Sequence, residues 1–370
     1  LETEERTSFL KKRSKKLLIP VGVGDGGAKR FRKSKFFCFF LFTKRSAFFA
    51  FDVFLRFLRN YSSLVKSLGC NITRLYRLRR DGAAMTAIIL TGRLGDIIAA
   101  HAVLPALAAP GKRLIWLARP GYVGLLADNP ALHAALPVTS YIEAHLLRLL
   151  FRNTDFLDLH VDKSVCEIFK FSVRNPNRHG IALDNFYHFG TLSDVYCLIA
   201  TGKPASARPR IVCDPDFDTP PYFSAPEKPV LAFHTVSEEA QRSWPAAQSK
   251  ALAAHILSDT DFNICEFGRT PQLIQGPRIA TPGDSLTLPQ QAALMARCRV
   301  FIGVDSAFAH MANAFAVPSI LLLGDYRNFT THLPWHLHRR DILLRTAGDA
   351  ANIPPERVIA ALNDFLKDIV

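Results

Sequence analysis

The sequence has no methionine before Met85, no C-x-x-C pair, no tract of repeated units and no run of 18 uninterrupted apolar residues. Each absence removes a class of protein. Seven cysteines without paired spacing or a His-rich partner argue against a zinc site and fit reduced thiols in a cytosolic setting. Lys44, Arg45, Asp52 and Arg56 interrupt the Phe-rich run from Phe36 to Leu58, so a membrane span is not expected. Apolar residues make up 49% of the chain, enough for a sizeable core, and 370 residues are too many for one ordinary domain.

The net charge of +14 is unevenly placed. Residues 1–84 hold 20 Lys and Arg against 6 Asp and Glu, whereas the rest of the chain holds 26 of each. The basic excess therefore says nothing about residues 85–370, and a nucleic-acid partner is not expected. Residues 1–84 also carry 12 of the 28 phenylalanines, without a persistent helical or strand period. They are expected to be a disordered extension or a translation artefact, the alternative being a basic aromatic segment resting on anionic lipid.

From Met85 onward short apolar strands alternate with amphipathic segments, the pattern of parallel βαβ units in a doubly wound α/β fold. Strands are expected at Ala87–Leu90, Arg113–Leu117, Phe156–Leu159, Val230–His234, Phe262–Phe267, Val300–Gly303 and Ser319–Leu323, and a closing amphipathic helix at Pro354–Val370. The proline-rich stretch Asp214–Pro229 reads as a linker, giving Rossmann-like domains at 85–219 and 220–370 that face each other across a cleft.

Three segments carry residues suited to chemistry. Thr91-Gly92-Arg93-Leu94-Gly95-Asp96 lies between the first strand and its helix, where glycines allow close backbone approach. Asp96 there is either a helix N-cap or, at the carboxyl end of a parallel strand, a base facing the cleft. The second segment, Val300 to Leu323, contains Asp305, Ser306, Ala307 and His310. A buried strand ends at Asp305 and small residues open a helix whose unpaired N–H groups suit a diphosphate, with His310 either a core histidine or a sugar contact. The third is Gln241-Arg242-Ser243-Trp244-Pro245, where Arg242 can clamp phosphate oxygens and Trp244 and Pro245 fix the loop by packing.

Gly92-x-x-Gly95-Asp96 followed by Pro105-Ala106-Leu107, then Arg242-x-Trp244-Pro245, then Asp305-Ser306-x-x-x-His310 with Val317-Pro318, resemble in order and near spacing the bacterial heptosyltransferases of glycosyltransferase family nine. The resemblance covers about residues 85–345. It implies the GT-B fold and inverting transfer of heptose from ADP-heptose onto a lipopolysaccharide-core or related glycan acceptor, with no metal and no cofactor. It implies Asp96 as catalytic base, Thr235, Arg242, Leu286, Asp305, Ser306, Ala307 and His310 as donor-binding residues, with Leu286 near the adenine, and Gly92, Arg93 and Gly95 as the acceptor-side loop. A lipid-linked or core oligosaccharide acceptor, a cytoplasmic location and peripheral contact with the inner membrane are the corresponding expectations. Arg242 stands where Lys is commoner, the loop 235–242 is slightly long, and Gly324-Asp325-Tyr326 replaces a Gly-Pro-Thr, so another nucleotide sugar for capsule or O-glycan assembly, or a silent binding module of the same fold, stay open.

Overall fold

The computed structural model describes residues 46–80, 82–166, 168–213, 223–325, 333–335 and 338–367, with side chains from Tyr61 onward. Residues 1–45, the stretch 214–222 of the expected linker, Tyr326 and Ile369 lie outside the described residues. Two parallel sheets account for the strands described. The first runs β3-β2-β1-β4, from β1 (Ala84–Ile89), β2 (Lys112–Ala118), β3 (Ala134–Pro137) and β4 (Asp155–Asp158). The second runs β10-β9-β8-β5-β6-β7, from β5 (Val230–His234), β6 (Asn263–Glu266), β7 (Ile279–Ala280), β8 (Val300–Val304), β9 (Ser319–Leu323) and β10 (Ile342–Arg345).

Both orders reverse direction beside their first strand. The switch points fall between β1 and β4 in one sheet and between β5 and β8 in the other, where chains leaving the carboxyl ends diverge and open a crevice. The strands are nearly continuous apolar runs, as parallel strands covered on both faces must be: Val300–Val304 and Ser319–Leu323 are buried throughout. Seven strands lie where the sequence pattern puts them, to within a few residues at their ends. The three others are weakly written. β3 is Ala-Ala-Leu-Pro, β7 has two residues, and β10 is half-exposed.

The helices used below are α1 (Ser46–Arg79), α2 (Leu94–Ala100), α3 (Tyr141–Leu150), α4 (Leu192–Thr201), α5 (Ala246–Asp259), α6 (Leu288–Ala296), α7 (Ala307–Ala314) and α8 (Pro355–Lys367). In α8, Val358, Leu362 and Phe365 are buried against Leu252, Ile256 and the second sheet, on the face the sequence periodicity assigns. Ile98 of α2 and Leu125, from the first half, join Met295, Phe308, Ala309 and Ala312 of the second in a single apolar cluster. Of the described helices, none is long and apolar enough to cross a membrane.

The expectation of an extension without structure up to residue 84 does not hold for residues 46–80. The chain there is helical, and from Asn60 it belongs to the same compact unit as the described residues that follow. The physical reason is an apolar stripe hidden among charges. Leu64, Leu68, Ile72, Leu75 and Leu78 recur at intervals of three and four; Leu64 is buried, and the other four lie against Ala87, Ile89, Ile115, Leu147 and Phe156. Between them Asn71 donates to Glu143 Oε1 at 2.8 Å and to the Pro137 carbonyl at 2.7 Å, while Glu143 Oε2 takes the N–H and hydroxyl of Thr139. Arg113 closes the helix by donating to the Leu78 carbonyl at 3.1 Å.

Leu75 is fully buried, so Leu75→Ala is expected to cost about 2–5 kcal/mol, the usual range for deleting a buried leucine. A chain begun at Met85 is expected to unfold at lower urea concentration than one begun at Ser46, because it bares the same face of the first sheet. Equal midpoints for the two chains in urea titrations followed by circular dichroism would show that α1 contributes nothing.

Candidate functional site

The turn that leaves β1 at the first switch point holds Asp96. Arg93 is the N-cap of α2 and Asp96 its third residue, so Asp96 is not the N-cap that a reading of the turn alone suggests. Its carboxylate folds back: Oδ2 accepts the Arg93 backbone N–H at 2.9 Å and Oδ1 accepts the Tyr196 hydroxyl at 2.8 Å. Tyr196 comes from α4 and is 3% exposed. Burial first, and then the Asp96 charge, push its phenol well above the ordinary range, so it stays a donor. Gly92 makes this arrangement possible. A β-carbon there would lie 2.8 Å from Asp96 Oδ2, inside contact distance of an atom already held by a hydrogen bond.

Across from this turn stands α7. Gly95 backs onto it so closely that a β-carbon would sit 3.5 Å from the His310 ring and 3.7 Å from Ala307 Cα, ordinary contact that an alanine fills and a larger side chain exceeds. Ser306 is the N-cap of α7, yet its hydroxyl makes no capping bond; that oxygen is buried and has no hydrogen-bond partner among the described residues. An unspent oxygen above the N–H groups of a helix start is an arrangement chemically suited to an anion. His310 is 6% exposed and lies one turn further along.

Arg242 reaches the same place from a turn at Ala240–Arg242, after β5. Its Nη1 donates to Asp305 Oδ2 at 2.9 Å, with both side chains mostly buried. Trp244 fixes that loop as expected: it is fully buried, its indole N–H donates to the Ile353 carbonyl at 2.8 Å, and its backbone N–H to the Thr235 carbonyl at 2.8 Å. Arg93 and Glu238, 3.2 Å apart and largely exposed, span from the first turn to the loop before Arg242.

The structure thus brings together Gly92, Arg93, Gly95, Asp96, Arg242, Asp305, Ser306, Ala307 and His310. Two expected donor residues sit differently. Thr235 is fully buried with its hydroxyl in a closed network, donating to Gln272 Oε1 at 2.9 Å and accepting from Ser249 at 3.1 Å. Its side chain therefore holds the loop and does not line the crevice. Leu286 is buried in the apolar cluster, and its carbonyl accepts from Gln291 at 3.0 Å. Any contact it makes with a base comes through the edge of the cluster.

Sequence reasoning missed two groups at the first switch point. Tyr196 carries no local signal, being one apolar position among many in α4. Asp158 ends β4 and His160 lies two residues beyond it, and their place at the carboxyl end of a parallel strand was the available clue. Asp158 is buried and holds its proton weakly: burial pushes its carboxyl up, but hydrogen bonds from His145 and from the ring and backbone of His160 pull it well below the ordinary carboxylate range. A cavity of about 1450 Å³ lies at the other end of the second sheet, at the strand starts near Val230, Arg299 and Pro318, and is no part of this site.

Residues 203–352 match the model of glycosyltransferase family 9, the heptosyltransferases. They form a family 9 glycosyltransferase domain. This glycosyltransferase domain contains Arg242 and the whole Asp305–His310 segment. The lipopolysaccharide heptosyltransferase 3 of Escherichia coli is 35% identical over 80 residues, an alignment spanning 22% of either chain. The family 9 glycosyltransferase of Veillonella parvula superposes with a TM-score of 0.60 at 17% identity, covering 77% of this chain and 97% of that one. ADP-heptose lps heptosyltransferase II of E. coli gives 0.58 at 18%, covering 78% and 100%. These likenesses establish the two-domain GT-B fold.

Replacing Gly92 by alanine is expected to displace the Asp96 carboxylate, and Tyr196→Phe to remove a hydrogen bond to a charged group, costing about 1.5–3 kcal/mol. Urea unfolding of Tyr196→Phe that matches the parent chain would show that the bond adds nothing. Asp158 supplies the pH dependence. Its folded-state pKa lies below the unfolded value near 4, so its contribution is present above that pH and is lost as pH falls through it. Asp158→Asn is expected to be less stable at neutral pH and to lose less on acidification; parallel stability profiles from pH 7 to 3 would contradict this.

Proposed function

We propose that the chain is an inverting glycosyltransferase that moves a sugar, heptose from ADP-heptose in the first instance, onto a lipopolysaccharide-core or related glycan acceptor. The observation that carries it is the convergence at Gly95 and His310: the turn bearing Asp96 and the helix start bearing Ser306 meet, with Arg242 and Asp305 beside them. The family match over residues 203–352 and the name of the E. coli relative with ADP-heptose favour that donor.

In this reading the donor diphosphate rests on the N–H groups at the start of α7, with the Ser306 hydroxyl as an added donor. Arg242 takes a phosphate oxygen while keeping Asp305, since a guanidinium carries five N–H donors in a fixed fork. The leaving nucleoside diphosphate is stabilised where its charge develops, by donors already in position. Asp305 and His310 orient the sugar. Asp96 accepts the proton of the attacking acceptor hydroxyl; its two hydrogen bonds occupy one lone pair on each oxygen and leave the other pair for that proton. The hydroxyl attacks the anomeric carbon as the bond to the diphosphate breaks, and one displacement inverts the configuration.

The acceptor lies on the first domain, with residues 85–219 as the acceptor domain and 220–370 as the donor domain. The protein works in the cytoplasm, with peripheral membrane contact where the acceptor is lipid-linked.

Release of nucleoside diphosphate is the test, over ADP-, UDP-, GDP- and dTDP-sugars with a delipidated core acceptor, using a chain begun at Ser46. Turnover with ADP-heptose is expected, falling by about 10²–10⁴-fold in Asp96→Ala, with weakened ADP binding in Ser306→Ala and Arg242→Ala. Undiminished turnover in Asp96→Ala would remove the base assignment, and turnover with a different donor alone would move the substrate while keeping the reaction.

A further inference from the structure

The first switch point holds a polar network that the reaction scheme leaves unused. Asp158 accepts four hydrogen bonds: from the Tyr141 hydroxyl at 2.9 Å, His145 Nε2 at 3.1 Å, the His160 backbone N–H at 3.0 Å and His160 Nδ1 at 2.7 Å. On its far side the His160 ring meets the turn that carries Asp96, with Nε2 3.0 Å from the Thr91 backbone nitrogen and 2.9 Å from the Thr91 hydroxyl. We propose that His160 is a positioning residue for the Thr91–Asp96 turn, acting as a neutral imidazole whose Nε2 accepts the Thr91 backbone N–H while Asp158 holds the proton on Nδ1.

The hydrogen-bond inventory dictates the tautomer. A backbone N–H is only a donor, so the ring nitrogen facing it must be a lone pair, and the carboxylate on the other side requires a donor. The Thr91 N–H has little freedom to turn away, because the residue before it still donates to Leu117 in the register of the sheet. Protonation of Nε2 would set two donors against each other and leave the amide without its partner. Asp158 and His145 lie on the Nδ1 side of the ring, Asn175 donates to the His160 carbonyl, and the Tyr141 ring packs edge-on at 4.8 Å.

The link to Asp96 is short. Thr91 precedes Gly92, over which the Asp96 carboxylate folds, and Arg93, whose N–H holds Oδ2. A turn freed at Thr91 lets both move, and small displacements at a reacting group cost large factors in rate. The effect on turnover rests on the proposed function, but the tautomer and the Thr91 contact do not.

The chain begun at Ser46 is labelled with nitrogen-15, and the histidine ring signals and the Thr91 amide exchange rate are recorded, alongside turnover across pH. His160 is expected as the Nδ1–H tautomer. His160→Ala is expected to lose about 10–100-fold in kcat, as loss of a supporting hydrogen-bond partner does elsewhere, with ADP affinity near the parent's, a lower unfolding midpoint from the bond lost to Asp158, and Thr91 exchange faster by at least about tenfold more than that of neighbouring sheet amides. His160→Gln, which offers a carbonyl oxygen in place of Nε2, is expected to restore most of the turnover and the slow Thr91 exchange. An Nε2–H tautomer, unchanged Thr91 exchange in His160→Ala, or equal turnover of the Ala and Gln variants overturns the proposal. Should the parent chain turn over no donor, the proposed function fails by itself, and the tautomer and exchange still decide this one.

Discussion

The contact between the starts of α2 and α7 is the constraint to which the other features of the site conform. Helices from different domains normally keep 8–10 Å between their axes because side chains intervene. Here Gly95 offers no side chain, and the ring of His310 and the backbone of Ala307 come up against it. The approach holds because apolar groups behind it are buried on both sides, Ile98 and Leu125 with Phe308, Ala309 and Met295. It also aims two helix starts at one region, and their unpaired N–H groups give that region a positive potential before any basic side chain is counted. Asp96 and Asp305 stand on opposite sides of that region, and each is held by donors of its own domain.

That division decides which residues can act on a ligand. Asp305 lies against Arg242, so the pair brings a guanidinium to the crevice in a fixed orientation at little net charge. A diphosphate arriving there meets a preformed fork, and the cost of ordering a long side chain has already been met in folding. Asp96 is held by Tyr196 and a backbone N–H, neutral donors that fix its direction without cancelling its charge. One carboxylate is thus matched to a cation and serves as scaffold, while the other keeps its charge and can take a proton.

The segments that carry this site were legible in the sequence because each follows a strand whose apolar run is hard to mistake. Ile-Ile-Leu before Thr91 and Val-Phe-Ile-Gly-Val before Asp305 both announce a buried parallel strand, and in a doubly wound sheet the residue after such a strand faces the crevice. The role of Thr235 was not legible. It follows β5 by the same rule, but Ser249 and Gln272, distant in sequence, close a network around its hydroxyl. Helix α1 was missed for a different reason: the Phe- and Lys-rich stretch before it dominates any window, and the buried stripe from Leu64 to Leu78 emerges only when positions three and four apart are read against the first sheet. Tyr196 and His160 went unread because each reaches the turn through a partner 69 or more residues away, and of the two only His160, just past a strand end, had a positional clue.

Those long-range bonds explain why the first domain tolerates so much irregular chain between β4 and α4. Among its described residues the segment from Leu159 to Gly190 contains two non-glycine residues with positive φ, Lys163 and Lys170, isolated bridges and one short 3-10 turn at Phe186–His188. It is nevertheless anchored at points that matter to Asp96. Asn175 donates to the carbonyls of Asp158 and His160, at 2.9 and 2.6 Å, and so braces the pair from the side away from Thr91. Loops built on such anchors can change in sequence at their exposed positions while the backbone beneath Asp96 stays where the sheet puts it. The polar core of this domain therefore does for the turn at Asp96 what the apolar cluster does for the helix at Ser306: each fixes one half of the site from within its own domain, so that the two halves need only meet at Gly95.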